Sequence, residues 1–346
     1  MNLFQNLEFG SVEETPPPPM LMGILNVSPD SFSDGGKWSD PDRAMSQARR
    51  MVADGATIID IGGESTRPGS TAVEPETEWH RISPVLLRLR AWLNEENPRR
   101  LEQGRGKIWL SVDTYKSVVA LRSLELGIDI INDVSGGRSD PEILNVTARQ
   151  EGSVYVLTHN PFSRAGKLPH ARQESVMYSD PVQDVAAELR RLYDHAQKAG
   201  CRNIIIDPGL GFGKDIPGNW QILANLDRFS EVFCGAESPL LESCPPILIG
   251  ASNKRFLRFA QEQSQEQEGI CATAGGGFER FLSANLAVCA SAILGGARII
   301  RSHETREHYR CLRSAWEIRR NRKTIRKTIR EGNEKGDEIA RQNFFS

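Results

Sequence analysis

The sequence has few cysteines and no long apolar run, and each absence excludes a class of protein. Its 346 residues contain six cysteines, scattered along the chain without a CxxC pair. In a chain of this length the pattern argues against a disulfide framework or a zinc site, so we expect reduced thiols. No uninterrupted apolar run reaches the roughly 18–20 residues of a membrane helix, so we expect a soluble protein.

A charge excess of either sign is also lacking. The 43 Lys and Arg residues nearly balance 45 Asp and Glu residues, for a net charge of -2. The composition therefore gives no electrostatic reason to expect a nucleic acid or an anionic membrane as partner. No Lys or Arg precedes Lys37, whereas secretory signals begin with basic residues and mitochondrial transit peptides are Arg-rich. We therefore expect a cytoplasmic protein.

A rhythm of short apolar runs indicates the fold. Eight runs rich in Ile and Val recur, and runs of this length suit parallel strands buried on both faces. Helix-like stretches separate them, such as the one that starts at Asp40-Pro41 and stops at Gly55. Eight strands that alternate with helices favour an α/β fold with a single (β/α)8 TIM barrel over an open doubly wound sheet. The predicted strands are 21–25, 57–61, 108–112, 128–131, 154–157, 203–206, 247–249 and 298–300.

The two ends of the chain and four internal stretches depart from this rhythm. Residues 1–19 are predicted to be a flexible Pro-rich leader, residues 20–316 the barrel and residues 317–346 a C-terminal helical tail. The tail carries seven basic residues and no acidic one between Ile318 and Arg330. A solvated amphipathic helix explains this run, and contact with nucleic acid or lipid is the alternative. Polar or Gly- and Pro-bearing stretches are predicted as loops or insertions at 94–107, 161–180, 234–246 and 261–277.

Polar side chains follow the predicted strands at the end where barrels carry their functional groups. We expect them to meet at one mouth, because the carboxyl ends of parallel strands lie at the same rim. An anion such as phosphate could be held there by Asn26, Arg301 and His303 together with the small hydroxyls of Ser65 and Thr66. In strand order, the residues at these ends are Asn26, 62–67, Asp113, Asn132 with Asp133, His159, Asp207, Ser252 with Lys254, and Arg301 with His303.

The remaining polar residues of this set suit a heterocycle. Asp113, Asn132, Asp207 and Lys254 offer donors and acceptors in a buried place, as a flat, amide-like ring requires. Any one of them could instead be a helix cap or a turn residue. Asp113 and Asp207, for example, would both serve as helix N-caps. That explanation does not account for the whole set.

The glycine-rich stretch from Gly209 to Lys214 resembles a phosphate-binding loop without matching one. Only four residues separate Gly209 from Lys214, and Asp215 follows, so the GxxxxGK[ST] pattern fails. The dinucleotide pattern GxGxxG fails as well. We interpret the stretch as a tight strand-to-helix turn in which the backbone approaches a ligand.

Five motifs together resemble those of the dihydropteroate synthase family, in the family's order. The resemblance covers about residues 20–310, and it implies a (β/α)8 barrel. The motifs are MGILNVSPDSFSDGG at 22–36, DIGGESTRPG at 60–69, SVDT at 111–114, NDVSGG at 132–137 and DPGLGFGK at 207–214.

The resemblance implies an activity. The family joins 6-hydroxymethyl-7,8-dihydropterin diphosphate to p-aminobenzoate, with Mg²⁺, and forms 7,8-dihydropteroate and diphosphate in folate biosynthesis. The protein would then be a transferase of alkyl or aryl groups and a homodimer. Such chemistry needs charge neutralisation at the leaving group and orientation of a neutral amine, but no protein nucleophile.

The resemblance also implies roles for individual residues. The pterin diphosphate site would comprise Thr66, Asp113, Asn132, Asp207, Phe212, Lys254, Arg301 and His303. The p-aminobenzoate site would comprise Phe32, Thr66, Arg67, Pro68 and Ser252. Asn26 would be the Mg²⁺ ligand, and the catalytic residues would be Asn26, Asp113, Lys254, Arg301 and His303.

Three motifs depart from the family's usual pattern. Residues 158–160 are Thr-His-Asn where Met-His-Met is common, residues 252–254 are Ser-Asn-Lys instead of Ser-Arg-Lys, and residues 301–304 are Arg-Ser-His-Glu instead of Arg-Val-His-Asp. These departures keep open a catalytically weak or silent pterin-binding homologue. A pterin-dependent methyltransferase barrel is a further alternative, although it would not be expected to carry the Ser-Thr-Arg-Pro-Gly stretch at 65–69.

Overall fold

The computed structural model describes residues 17–27, 41–65, 72–163, 175–234, 244–250, 252, 254, 256–257 and 279–321. Strands and helices alternate along this part of the chain. The strands are β1 (Met20–Asn26), β2 (Ile58–Gly62), β3 (Trp109–Asp113), β4 (Ile130–Asp133), β5 (Val154–Thr158), β6 (Asn203–Asp207), β7 (Leu248–Ile249) and β8 (Ile299–Ser302). The helices are α1 (Pro41–Ala53), α2 (Pro75–Glu102), α3 (Ser117–Glu125), α4 (Glu142–Arg149), α5 (Pro181–Lys198), α6 (Ile216–Ala224), α7 (Asp227–Cys234), α8 (Glu279–Gly295) and α9 (305–321).

The eight strands form one parallel sheet that curls into a nearly closed barrel. Their order is β6-β5-β4-β3-β2-β1-β8-β7. A parallel bridge between Ile206 and Ile247 joins the two outermost strands, and the N–H of Ile206 donates to the carbonyl of Pro246 at 2.9 Å. The predicted barrel is confirmed, and each predicted strand lies within two residues of the observed one at both ends.

The apolar core has one inner and two outer parts. The outer clusters pack the helices against the strands. The inner cluster fills the barrel with side chains from alternating strand positions, since neighbouring residues of a strand point to opposite faces. Its members are Met20, Met22, Ile58, Trp109, Ile130, Val154, Val156, Ile205, Leu248 and Ile299.

Helix α2 corrects the prediction of a loop at 94–107, because the helix continues to Glu102. Pro98 lies inside it, and a proline within a helix is usually unfavourable. Tertiary contacts support these last turns: the side chain of Asn97 accepts from the N–H of Ile108 at 2.8 Å and donates to its carbonyl at 3.0 Å. Sequence patterns of a single segment do not show such contacts.

The cysteines are not all reduced. Cys201, Cys289 and Cys311 are free thiols, whereas Cys244 is disulfide-bonded, so the expectation of reduced thiols is wrong at that position. The spacing of cysteines in a sequence does not show which of them meet in space. Helix α9 runs through residue 316 without a break, and the two boundaries between the three predicted segments stay predictions. No helix within the described ranges is long and apolar enough to cross a membrane.

Candidate active site

Arg301 of β8 connects side chains from three other strands at the carboxyl-terminal rim of the barrel. Its Nε donates to Oδ2 of Asp60 at 2.7 Å, and its Nη2 donates to Oδ2 of Asp113 at 2.6 Å. The Nδ2 of Asn132 donates to the same oxygen of Asp60 at 3.0 Å. Asp60, Asn132 and Arg301 each stand two positions after an apolar residue of the inner core, and Asp113 stands four positions after Trp109 of that core, so strand alternation turns all four side chains into the barrel.

The charges of this cluster do not cancel. Burial, against the opposing effect of the Arg301 guanidinium and together with the nearby Asp60 carboxylate, raises the pKa of Asp113 to about 7. Burial alone would lower the pKa of Arg301, but Asp60 and Asp113 raise it above its ordinary value. The second oxygen of Asp60, Oδ1, is buried and accepts no hydrogen bond. The cluster therefore has acceptor capacity left for a ligand that brings donors.

Asp60 is the residue that sequence reasoning missed. It is fully buried and lies in the middle of β2 in the DIGGESTRPG motif, not at the strand end where functional residues were sought. The signal was present, because Ile58, Asp60 and Gly62 alternate in the way that places all three on one face. An Asp inside an otherwise apolar strand is rarely buried without a partner.

A second group of polar and aromatic side chains lies beside β6. Asp207 is buried, its Oδ1 accepts from the N–H of Gly209 at 2.7 Å, and burial raises its pKa. The Nζ of Lys254 lies 4.1 Å from the ring centroid of Phe212, a distance typical of a cation–π contact. Burial lowers the pKa of Lys254 to about 8, although Asp207 raises it.

A third group lies at the exposed side of the rim around His303. The Nδ2 of Asn26 is 3.4 Å from Nε2 of His303, and Oγ of Ser252 is 3.1 Å from its Nδ1. Ser252 in turn donates to Oε2 of Glu304 at 3.1 Å. One consistent assignment has Asn26 donating to Nε2 and Nδ1–H donating to Ser252, which leaves the hydroxyl proton for Glu304.

His159 does not join this rim, contrary to the expectation from its place after β5. The strand turns Thr158 inward and His159 outward, where Nε2 of the histidine is 2.9 Å from Oε2 of Glu188 on α5. Its Nδ1 is 2.9 Å from Nζ of Lys214. Burial and the nearby Lys214 charge lower the pKa of His159 to about 3, so the ring is neutral at pH 7.

Of the residues predicted from the resemblance, the structure describes nine and brings them to one rim in the three groups above. Four lie outside the described residues: Phe32, Thr66, Arg67 and Pro68. The individual roles of all thirteen stay predictions.

The donor set around Asn26 fits Mg²⁺ only with substrate oxygens. The part of the chain that the structure describes contains no group of three or more His, Cys, Asp or Glu side chains placed to hold a metal. Mg²⁺ commonly takes one or two protein oxygens and completes its shell with phosphate and water. The contact from Nδ2 of Asn26 to His303 leaves its Oδ1, a hard oxygen donor, available for such an ion.

We predict that Asp60→Ala destabilises the protein by about 1.5–3 kcal/mol, because the half-buried guanidinium of Arg301 loses one of its two charged acceptors. Denaturant unfolding measures the change in the free energy of unfolding. The matched control is Glu76→Ala, which breaks an Arg–carboxylate pair of similar length, 2.6 Å to Arg122, at the surface. Surface pairs contribute little, so equal losses in the two variants would contradict the role of burial.

Comparison with known proteins agrees with this geometry. The sequence matches the family model described as "Pterin binding enzyme" over residues 22–303. The dihydropteroate synthase of Mycobacterium leprae is 41% identical over 242 residues, which are 69% of this chain and 75% of that protein. The mitochondrial folate synthesis bifunctional protein of Arabidopsis thaliana is 37% identical over 290 residues, 83% of this chain and 47% of that protein. The chain thus spans about half the length of this bifunctional relative.

Solved structures show the same likeness. Dihydropteroate synthase from Xanthomonas albilineans with 4-aminobenzoic acid has a TM-score of 0.68 at 33% identity, covering 87% of this chain and 93% of that one. Its complex with 7,8-dihydropteroate has a TM-score of 0.65 at 30% identity, covering 88% and 95%. On the family match, the identities and the shared barrel, this chain belongs to the dihydropteroate synthase family of pterin-binding enzymes.

Proposed function

We propose that this protein condenses 6-hydroxymethyl-7,8-dihydropterin diphosphate with p-aminobenzoate to form 7,8-dihydropteroate and diphosphate. The observation that supports the proposal most directly is the buried polar rim around Arg301. The residues around Arg301 there, Asp60, Asp113 and Asn132, come from motifs that resemble the family's, and related proteins have been solved with 4-aminobenzoic acid and with 7,8-dihydropteroate.

The acidic side of the rim suits the pterin ring. A pterin carries an amino group next to a ring N–H, and two adjacent donors of this kind match the oxygens of one carboxylate. Asp207 is the buried carboxylate that would accept them, while Asn132 and Asp113 would bind the other edges of the ring. The flat ring would lie near Lys254, which already contacts the face of Phe212.

The opposite side of the rim suits the diphosphate. Negative charge grows on the leaving group as the carbon–oxygen bond breaks and the amine nitrogen forms its bond to the same carbon. Donors placed there stabilise the transition state more than the ground state. His303 and Asn26 face this side, and Arg301 would contribute the N–H groups that do not bind Asp60 and Asp113. Mg²⁺, held by Asn26 and the diphosphate, would neutralise further charge.

The family resemblance also suggests a p-aminobenzoate site, a homodimer and a cytoplasmic location. Phe32, Thr66, Arg67, Pro68 and Ser252 would bind p-aminobenzoate. The homodimer and the cytoplasmic location also belong to this proposal.

A steady-state assay with both substrates and Mg²⁺ tests the reaction, with dihydropteroate measured by chromatography and diphosphate measured separately. The two products are expected in equal amounts. Binding of pterin diphosphate by calorimetry without any product would instead identify a silent pterin-binding homologue, the alternative that the unusual residues 158–160 and 252–254 raise.

We predict that Asp207→Asn weakens pterin diphosphate binding about 5- to 150-fold, because loss of a charged acceptor costs about 1–3 kcal/mol. Calorimetric titration measures the affinity. The Kd of p-aminobenzoate, titrated in the presence of diphosphate, should change less than twofold. Asp215→Asn is the control, since Asp215 sits in the following turn and caps α6 at Gly218 without facing the barrel. Equal effects of the two substitutions would reject the role of Asp207.

We predict that kcat/KM for pterin diphosphate falls as the pH rises through about 8. Burial lowers the pKa of Lys254 to that value, so the free enzyme carries a charged donor below pH 8 and a neutral amine above it, and kcat/KM reports the free enzyme. In Lys254→Arg the donor stays charged and this alkaline decline should disappear, whatever the absolute rate. A decline near pH 8 that persists in this variant would reject the assignment to Lys254, whereas a separate decline near pH 7 would belong to Lys214, whose pKa burial lowers to about 7.

A further inference from the structure

The loop between β6 and α6 packs closely against His159 on one side and Lys254 on the other. Its three glycines all have positive φ: +68° at Gly209, +80° at Gly211 and +62° at Gly213. A Cβ on Gly209 would lie 2.0 Å from the carbonyl oxygen of His159, and one on Gly211 would lie 2.9 Å from Cδ of Lys254. The backbone therefore approaches the end of β5 on one side and Lys254 on the other, more closely than a side chain permits.

Lys214 folds back into the loop that it ends. Its Nζ donates to the carbonyl of Gly209 at 2.9 Å and to the carbonyl of Phe212 at 3.0 Å. It also lies 3.2 Å from the carbonyl and 2.9 Å from Nδ1 of His159. The loop thus directs carbonyls at an ammonium group. A phosphate-binding loop does the reverse and directs N–H groups at an anion.

His159 links this ammonium group to the outer helix layer. The Nδ1 of its neutral ring accepts from Lys214, and Nε2–H donates to Glu188 of α5 at 2.9 Å. The carboxylate fixes the tautomer, in the way that a hydrogen bond at one ring nitrogen determines the role of the other. Glu188, His159 and Lys214 therefore form a chain of contacts that runs from the helix layer through the end of β5 to the loop.

The loop that Lys214 holds carries the pterin side of the proposed site. Gly209 donates its N–H to Asp207 at 2.7 Å, and Phe212 presents its ring to Lys254. The N–H of Gly211 donates to Oδ1 of Asn219 on α6 at 2.6 Å. The carbonyls of Gly209 and Phe212, which flank these contacts, are both bound by Lys214.

We propose that Lys214 is a positioning residue that fixes Asp207 and Phe212 for the pterin ring without touching the substrate, and that it acts together with His159. The identity of the ligand rests on the function proposed above. The contacts given above all lie on the pterin side of the site, so the proposal concerns one substrate only. It assigns a function to a lysine that the sequence alone associates with a failed phosphate-loop pattern.

The test compares the two substrates in Lys214→Met. Loss of the ammonium group releases the carbonyls of Gly209 and Phe212, so the Kd and KM of pterin diphosphate should rise about 10- to 100-fold, the range expected for a misplaced binding group. The KM of p-aminobenzoate, and its Kd measured with diphosphate and Mg²⁺, should change less than threefold. A merely structural lysine would lower the melting temperature and the active fraction without this separation between substrates.

A double-mutant cycle tests whether His159 acts through Lys214. His159→Ala should also weaken pterin binding selectively, and the double variant should bind no more weakly than Lys214→Met, because both remove the same contact. Additive losses would overturn the link. Tyr155→Phe is the control for loss of a buried polar contact, since its hydroxyl donates to Asp133 at 2.6 Å on the neighbouring strand.

Two results would overturn the assignment of Lys214. One is a loss of pterin affinity no larger than that of Tyr155→Phe, and the other is an equal loss for both substrates. The wild-type protein is titrated with pterin diphosphate first. Absence of binding there would reject the proposed function, whereas binding without turnover would leave the calorimetric comparison as the test of Lys214.

Discussion

The contact of Arg301 with two carboxylates determines how the mouth of the barrel is arranged. Arg301 belongs to β8, whereas Asp60 and Asp113 belong to β2 and β3, and β1 lies between them in the sheet. The guanidinium therefore reaches across β1 and connects the rim end of β8 with those of β2 and β3. Because its fork fixes two directions at once, it sets the orientation of both carboxylates.

The rim has a polarity that matches a substrate with two unlike ends. Its inner side carries the buried carboxylates of Asp60 and Asp207 and the largely buried carboxylate of Asp113, while its exposed side carries His303 and the amide of Asn26. A donor-rich ring is favoured on the first side, and an anion is favoured on the second. One orientation of the proposed substrate, a pterin diphosphate, would satisfy both sides, and the reversed orientation would place phosphate against carboxylates.

Much of this arrangement follows from period-two patterning, and the failures follow from what the pattern omits. Runs of Ile and Val indicated eight strands, and strand ends indicated Asp113, Asn132 and Arg301. The pattern does not state which face of a strand is inside, which is why His159 was expected at the rim and Asp60 was overlooked. Contacts distant in sequence, such as that of Asn97 with Ile108, are also invisible to it, so the end of α2 was interpreted as a loop.

For the loop after β6, the sequence pattern likewise does not show whether the backbone N–H groups or the backbone carbonyls point into the loop. Glycine at alternating positions followed by lysine is compatible with a loop that binds phosphate through its N–H groups and with one that binds its own lysine through carbonyls. The contacts of Lys214 identify the second form here, because the carbonyls of Gly209 and Phe212 accept from its Nζ. A loop already filled by an ammonium group has no place for an anion, so the phosphate end of the proposed substrate would lie elsewhere on the rim. The exposed side around His303 is the part of the described rim where donors face outward.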